Sequence, residues 1–235
     1  PSFVGPSATA SDFNADCELT VNWFTEKLDP SGDGKTAAKV LLPAPGFVER
    51  YDISPGPIRA EFREPTSGRT FVVSGYRFCE VFSDYTYTER GTVAMDTNPA
   101  TICANSAVGE LFITSGDVGY CYDLATDTLT TVLASGATMG AFLSARFLAL
   151  DAATSTVRCS DQNDGTTWGV GNFFQRQAAG DPWVAMRVVN LDIWLIGTET
   201  SEVWYDAGAY PVPFEPRPDA LIQHGTVAPW SVLSL

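Results

Sequence analysis

The chain has 235 residues, 45% of them hydrophobic and 18% charged, which is enough apolar content for a sizeable core and excludes a disordered protein. Lys and Arg number 14 against 28 Asp and Glu, a net charge of −14, which argues against a sequence-reading nucleic-acid binder with its basic footprint. No run of about 18 apolar residues occurs, so no membrane anchor is expected, and the start Pro1-Ser2-Phe3-Val4-Gly5 lacks the basic and apolar regions of a secretory signal.

Residues 1–57 read as an extended N-terminal arm with one or two strands. Positions 1–16 are small and polar, with no core of their own. Cys17 to Trp23 alternates apolar and polar residues, as a half-buried strand does. Pro30 to Lys35 carries turn residues, Val40-Leu41-Leu42 is a short apolar run stopped by Pro43, and Phe47 to Tyr51 resumes an extended pattern.

From residue 58 to 235 the chain repeats. Four segments share one shape: Arg69–Gly75, Glu110–Gly116, Ala145–Asp151 and Leu191–Gly197. Each ends in Gly or Asp four residues after its first large apolar anchor, which is Phe71, Phe112, Phe147 or Ile193. Each is followed by a second strand: Tyr76–Phe82, Val118–Leu124, Ser155–Asp161, Ser201–Asp206. Inner strands are expected before the anchors at Ile58–Phe62, Thr101–Ala104, Gly140–Ser144 and Val184–Val189. Outer strands are expected after the hairpins at Tyr85–Val93, Thr128–Leu133, Gly169–Gln175 and Tyr210–Phe214. A period of about 40 residues with four strands per unit is the pattern of propeller blades. The expected fold is therefore all-β, a β-propeller with four recognisable blades, in preference to a β-sandwich with evenly spaced hairpins. Gly225 to Leu233 reads as the inner strand of a fifth blade, so the chain is expected to be part of a longer protein.

Candidate chemistry is sparse. Asp161-Gln162-Asn163-Asp164-Gly165-Thr166-Thr167-Trp168 resembles the Asp-box of sialidase-type propellers, with Asn163 at the Asx position, Gly165 supplying a positive φ and Trp168 packed beneath the hairpin. Such a box is a folding device and not a catalytic group. Arg59 and Arg187 fall in expected inner strands, where a glycosidase would gather arginines, but two positions make a weak cluster. One His, His224, leaves a single candidate base. Five cysteines, Cys17, Cys79, Cys103, Cys121 and Cys159, have no CxxC pair and read as reduced, buried hydrophobes. No catalytic residue, metal site or cofactor is expected, and the chain reads as a non-enzyme.

Four segments resemble the tail hub, or nozzle, proteins of short-tailed bacteriophages, also called packaged-DNA stabilisation proteins. They are Leu19 to Glu26, with Asn22 and Glu26; Leu41 to Asp52, with Pro45, Gly46, Arg50 and Tyr51; Asp192–Gly197 with Ser201–Tyr205; and Gln223 to Pro229. The resemblance implies a virion tail protein, assembled in the host cytoplasm. Its copies would form a ring, usually a hexamer, below the portal or tail adaptor, with a spike, needle or fibres beneath. Genomic DNA would be retained and then pass through at ejection without sequence-specific binding. Apart from the resemblance, the net charge of −14 would suit a conduit wall to which DNA does not adhere, provided its carboxylates face the channel. A glycan-binding or sialidase-like propeller is the alternative.

Overall fold

A computed structural model describes residues 23–28, 38–44, 46, 52–53, 55–176 and 178–233. The chain forms two compact units, Pro1–Arg50 and Tyr51–Leu235. In the first, β1 (Trp23–Leu28) pairs antiparallel with β2 (Ala38–Pro43), with Glu26 opposite Val40. The strand expected over 17–23 begins only at Trp23 among the described residues; the rest of that stretch, and Phe47 to Tyr51, lies outside them.

The second unit is built from four antiparallel sheets of four strands each, joined in sequence order. Blade 1 is β3 (Ile58–Arg63), β4 (Thr70–Ser74), β5 (Arg77–Val81) and β6 (Tyr87–Thr92). Blade 2 is β7 (Thr101–Asn105), β8 (Glu110–Ser115), β9 (Val118–Asp123) and β10 (Thr128–Leu133). Blade 3 is β11 (Met139–Leu143), β12 (Arg146–Asp151), β13 (Thr156–Cys159) and β14 (Phe173–Gln175). Blade 4 is β15 (Trp183–Val189), β16 (Asp192–Gly197), β17 (Ser201–Asp206) and β18 (Phe214–Ile222). Four separate meanders, with β3, β7, β11 and β15 in successive contact, are blades of a propeller and not the two facing sheets of a sandwich.

The core lies between blades, and the two-residue period of a strand sorts it. From β8, Leu111 and Ile113 join Phe71, Val73, Phe78 and Tyr122 between blades 1 and 2. Phe112, between them in sequence, points the other way and joins Leu133, Phe147 and Ala149 between blades 2 and 3. From β12, Leu148 and Leu150 join Trp183, Ile193, Leu195 and Trp204 between blades 3 and 4. Each central strand is thus apolar on both sides, which is why it reads as a continuous hydrophobic run.

Three expectations need correction. The outer strand of blade 4 is Phe214–Ile222, not Tyr210–Phe214. Pro211 and Pro213 offer no N–H to a ladder, so 207–213 forms a loop closed by the Ala207 N–H to the Pro213 carbonyl at 2.7 Å. Pro216 and Pro218 are tolerated because β18 is an edge strand whose pairing with β17 is interrupted between Glu202 and Trp204. The outer strand of blade 3 is only Phe173–Gln175; 169–172 is spent on a turn in which the Asn172 N–H meets the Gly169 carbonyl. Finally, Gly225–Leu233 is no strand: it folds into a 3-10 turn at Pro229–Ser231, and Trp230 and Val232 pack against the blade 3–4 core. Pro229 again removes a ladder donor where a strand would need one.

Candidate functional site

The Asp161–Trp168 hairpin forms, but its residues divide the work differently from the expectation. The carboxylate that organises the turn belongs to Asp164. Its Oδ1 accepts from the Thr166 N–H (2.8 Å), the Thr166 hydroxyl (2.6 Å) and the Thr167 N–H (3.2 Å), and these bonds hold it below the usual carboxylate range. Asn163 takes the positive φ of 55°, and its Oδ1 accepts from Asn105 Nδ2 of blade 2 at 3.2 Å. Gly165 is needed for space rather than for a left-handed backbone. A Cβ there would stand 2.7 Å from Phe147 Cε2 and 2.8 Å from Cys121 Sγ. Its N–H donates to Glu110 Oε2 of blade 2 at 2.8 Å, and Trp168 Nε1 donates to its carbonyl at 2.9 Å. Trp168 lies on Phe112, ring centroids 5.1 Å apart. Asp161 accepts from Asn172 Nδ2 at 2.6 Å. The hairpin is therefore a staple between blades 2 and 3.

The same device recurs where no box was expected. Asp84, Asp123 and Asp206 each stand at the corresponding hairpin and accept the N–H two residues on: Thr86 at 3.0 Å, Ala125 at 2.7 Å and Gly208 at 2.8 Å. With Asp164 they make one Asx turn per blade, about 40 residues apart. Asp-x-[Thr/Ala/Gly] after each third strand was the legible signal.

Blades 1 and 2 share an ionic clamp. Buried Glu80 receives a two-pronged bond from Arg69, 2.7 Å on each oxygen, and a further contact of 2.6 Å from Arg90. Both guanidinium groups also reach Asp127 of blade 2, at 2.6 and 2.9 Å, and Tyr122 donates its hydroxyl to the same carboxylate at 2.8 Å. The Arg69 bonds keep Glu80 and Asp127 ionised. At the passage from blade 3 to blade 4, Arg176 is paired with Asp181 at 2.9 Å and with Glu202 of β17 at 3.2 Å.

Arg59 and Arg187, the arginines expected on inner strands, do not converge. Arg59 donates to the backbone carbonyls of Gly75 (2.8 Å) and Asn98 (2.7 Å) and to the Ser115 hydroxyl (2.9 Å). Arg187 donates to the carbonyls of Met186 (2.9 Å) and Val232 (3.1 Å). Arg59 thus ties blade 1 to Ser115 of blade 2, and Arg187 ties β15 to the segment after blade 4. The innermost strands β3, β7, β11 and β15 carry one carboxylate, Glu61, beside Arg59, Arg63 and Arg187. Carboxylates such as Asp84, Asp123, Asp164 and Asp206 sit instead in the hairpins.

Cys79, Cys103, Cys121 and Cys159 are free thiols. Burial pushes Cys79 up to about 11 and Cys121 and Cys159 up to about 12, and it pushes Cys103 up as well. The His224 carbonyl accepts from the Ser201 hydroxyl at 2.7 Å. Among the described residues no cluster of three His, Cys, Asp or Glu is placed to hold a metal, and no helix is long and apolar enough to cross a membrane.

A family profile described as bacteriophage P22 Gp10, beta-propeller, matches residues 25–235. The chain belongs to this phage stabilisation family. Of the residues that carried the family resemblance, Glu26 lies in β1 and Gly46 is exposed just after β2, whereas Asn22, Pro45, Arg50 and Tyr51 lie outside the described residues. The propeller of the family agrees with solved structures. Streptogramin B lyase is similar at 12% identity and a TM-score of 0.51, over 83% of this chain and 61% of the lyase. PorZ, a surface component of the type-IX secretion system of Porphyromonas gingivalis, is similar at 11% identity and a TM-score of 0.52, over 87% of this chain and 26% of PorZ. At such identities the likeness is one of fold alone, and the chain spans less than two thirds of either protein. No curated protein matches the sequence.

Proposed function

We propose that the chain is a non-enzymatic structural protein of a short-tailed phage particle. In this reading it forms part of the tail hub ring below the portal or its adaptor, retains the packaged genome and conducts it at ejection. The observation that carries the reading is the family match over 25–235. The site chemistry supports it. The polar groups drawn together in the blades form staples and clamps from one blade to the next, which suits a part that must hold its shape under the pressure of a packaged genome. The arginines that a sialidase would aim at its substrate are spent on carbonyls of the chain itself.

Six copies, a portal or adaptor above, and a spike, needle or fibres below are the expected partners. DNA passes without being read. If acidity keeps DNA from adhering, surface carboxylates outside the inner strands supply it, since those strands carry only Glu61. Electron cryo-microscopy of the source particle tests the proposal. The expected result is a ring of this propeller directly below the portal or adaptor. Density for it in the capsid shell, or its absence from the particle, overturns the proposal.

A further inference from the structure

The face of blade 3 turned toward Leu133 gathers a carboxylate, a guanidinium, a hydroxyl and an amide around one cleft, with Asp151 and Thr156 buried at its base. Cross-strand register places Asp151 beside Thr156 and Thr156 beside Gln175, with Arg158 beside Phe173 in the neighbouring row. The alternation of side chains puts these five on one face of the sheet. They line a cleft of about 460 Å³, within the ~300–1,000 Å³ range of small-molecule sites. Its far wall comes from the loop before β14: Trp168, Val170 and Asn172. Gly136 packs closely against two of these side chains, since a Cβ there would stand 3.1 Å from Asp151 Oδ2 and 3.2 Å from Arg158 Nη2.

We propose that this cleft binds a neutral saccharide unit. The β12–β14 sheet contributes Asp151, Thr156, Arg158 and Gln175 with one ring, Phe173, and the loop contributes Trp168 and Val170 with one amide, Asn172, so one wall is mainly hydrogen-bonding and the other mainly apolar. A pyranose has the same division, with hydroxyls at its rim and C–H groups on its faces. The negative face of an indole attracts weakly positive C–H groups. Trp168 is held for this use: one side rests on Phe112, and its Nε1 is bonded to the Gly165 carbonyl. Opposite it are donors and acceptors of both kinds. Asp151 spends Oδ1 on the Ala153 N–H at 3.1 Å, and Arg158 spends one nitrogen on the Ser135 carbonyl at 3.3 Å. Gln175 donates to Thr156 at 3.1 Å and keeps its carbonyl oxygen for a ligand. One carboxylate and one guanidinium leave no net charge, so neither a phosphate nor a cationic ligand is favoured. The proposal goes beyond the hub reading and is independent of it.

Saturation-transfer NMR and calorimetry on the purified chain test it, with maltose, lactose, chitobiose and mannobiose as probes and sialyllactose as a charged control. At least one neutral disaccharide is expected to bind saturably, with a Kd below about 10 mM. Arg158→Ala and Gln175→Ala, both at the cleft surface, are each expected to weaken binding about tenfold while the melting temperature stays within a few degrees. Trp168→Phe should weaken it too, and its melt reports any loss of fold. No saturable binding by the neutral probes, binding unchanged in both polar variants, or capture of an extended peptide instead of a saccharide overturns the proposal.

Discussion

The rings of Phe112 and Phe147 stack on each other, centroids 5.5 Å apart and planes inclined by 28°. The two residues are the apolar anchors of consecutive repeats, yet they face each other across the junction of blades 2 and 3. Both are essentially without solvent contact, and Trp168 closes over Phe112. Phe112→Ala or Phe147→Ala should each cost about 3–5 kcal/mol in urea unfolding. Phe147→Leu, which keeps most of the volume, should cost less than about 2 kcal/mol. Because the rings touch, the double alanine variant should lose less than the sum of the single variants.

Gly165 sits under Phe147 and Cys121 with no room for a methyl group. Gly165→Ala should destabilise the chain by about 1–3 kcal/mol through overpacking, seen as a lower denaturation midpoint. Asp164→Ala should give a milder loss, about 1 kcal/mol, because the Thr166 and Thr167 N–H groups it releases can turn to water.

The clamp at Glu80 is buried at its centre and open at its rim. Glu80→Gln leaves Arg69 and Arg90 facing each other without the charge between them and should cost about 3 kcal/mol. Asp127→Asn, at a carboxylate 38% exposed, should cost under about 1 kcal/mol. Thermal melts of the two variants in low salt should therefore rank Glu80 well above Asp127.

Acid should loosen the blades through specific carboxylates. Glu64 is pushed up by burial, but bonds from Ser106, Ser67 and Thr66 outweigh that and bring it down to about 2 from 4.5. Asp181 is likewise pushed up by burial and brought down to about 2 from 3.8 by the Glu199 and Thr200 N–H groups, the Thr200 hydroxyl and Arg176. A carboxylate held low when folded contributes stability that is complete above its unfolded pKa and disappears as pH falls through the folded one. Both contributions should therefore be lost between about pH 4.5 and pH 2. Glu110 runs the other way: burial, then Asp164 and Asp123, raise it, so its contribution weakens as pH rises above 4.5. Melting temperature should fall steeply on acidification, and Glu64→Gln should flatten that slope. An unchanged slope in Glu64→Gln would assign the acid limb to other groups.

The four described thiols should be silent in the folded protein, since burial keeps each of them protonated. In a Cys17→Ser variant, labelling by a disulfide reagent at pH 8 should occur only at the rate of unfolding. Rapid labelling of a native thiol would show that a blade opens locally.

Much of the fold was legible because strands announce themselves by local pattern. Thr128–Leu133 and Ser201–Asp206 were placed residue for residue, and the anchors Phe71, Phe112, Phe147 and Ile193 are all in the core. The proline-bearing edge was harder to place. An outer strand was expected at Tyr210–Phe214 despite Pro211 and Pro213, whereas the edge strand begins beyond them and carries Pro216 and Pro218. The Asp-box was legible as a motif, but Asp164 and not Asn163 holds the turn. Arg69 and Asp127 meet from positions 58 residues apart, with no local signal to pair them.

The sequence by itself determined the four four-stranded repeats, their order and the period of about 40 residues, because alternation and turn residues act over a few neighbours. Which side of each strand faces which blade was decided only by the tertiary structure. Aligned by their ends, Phe112 and Phe147 look equivalent; in space one points forward to blade 3 and the other back to blade 2. The turn after β12 is longer than the turn after β8, and a shift of one residue sends every side chain of a strand to its opposite face. Both faces of these central strands are apolar, so hydrophobicity alone could not choose. Packing against the neighbouring blade made the choice.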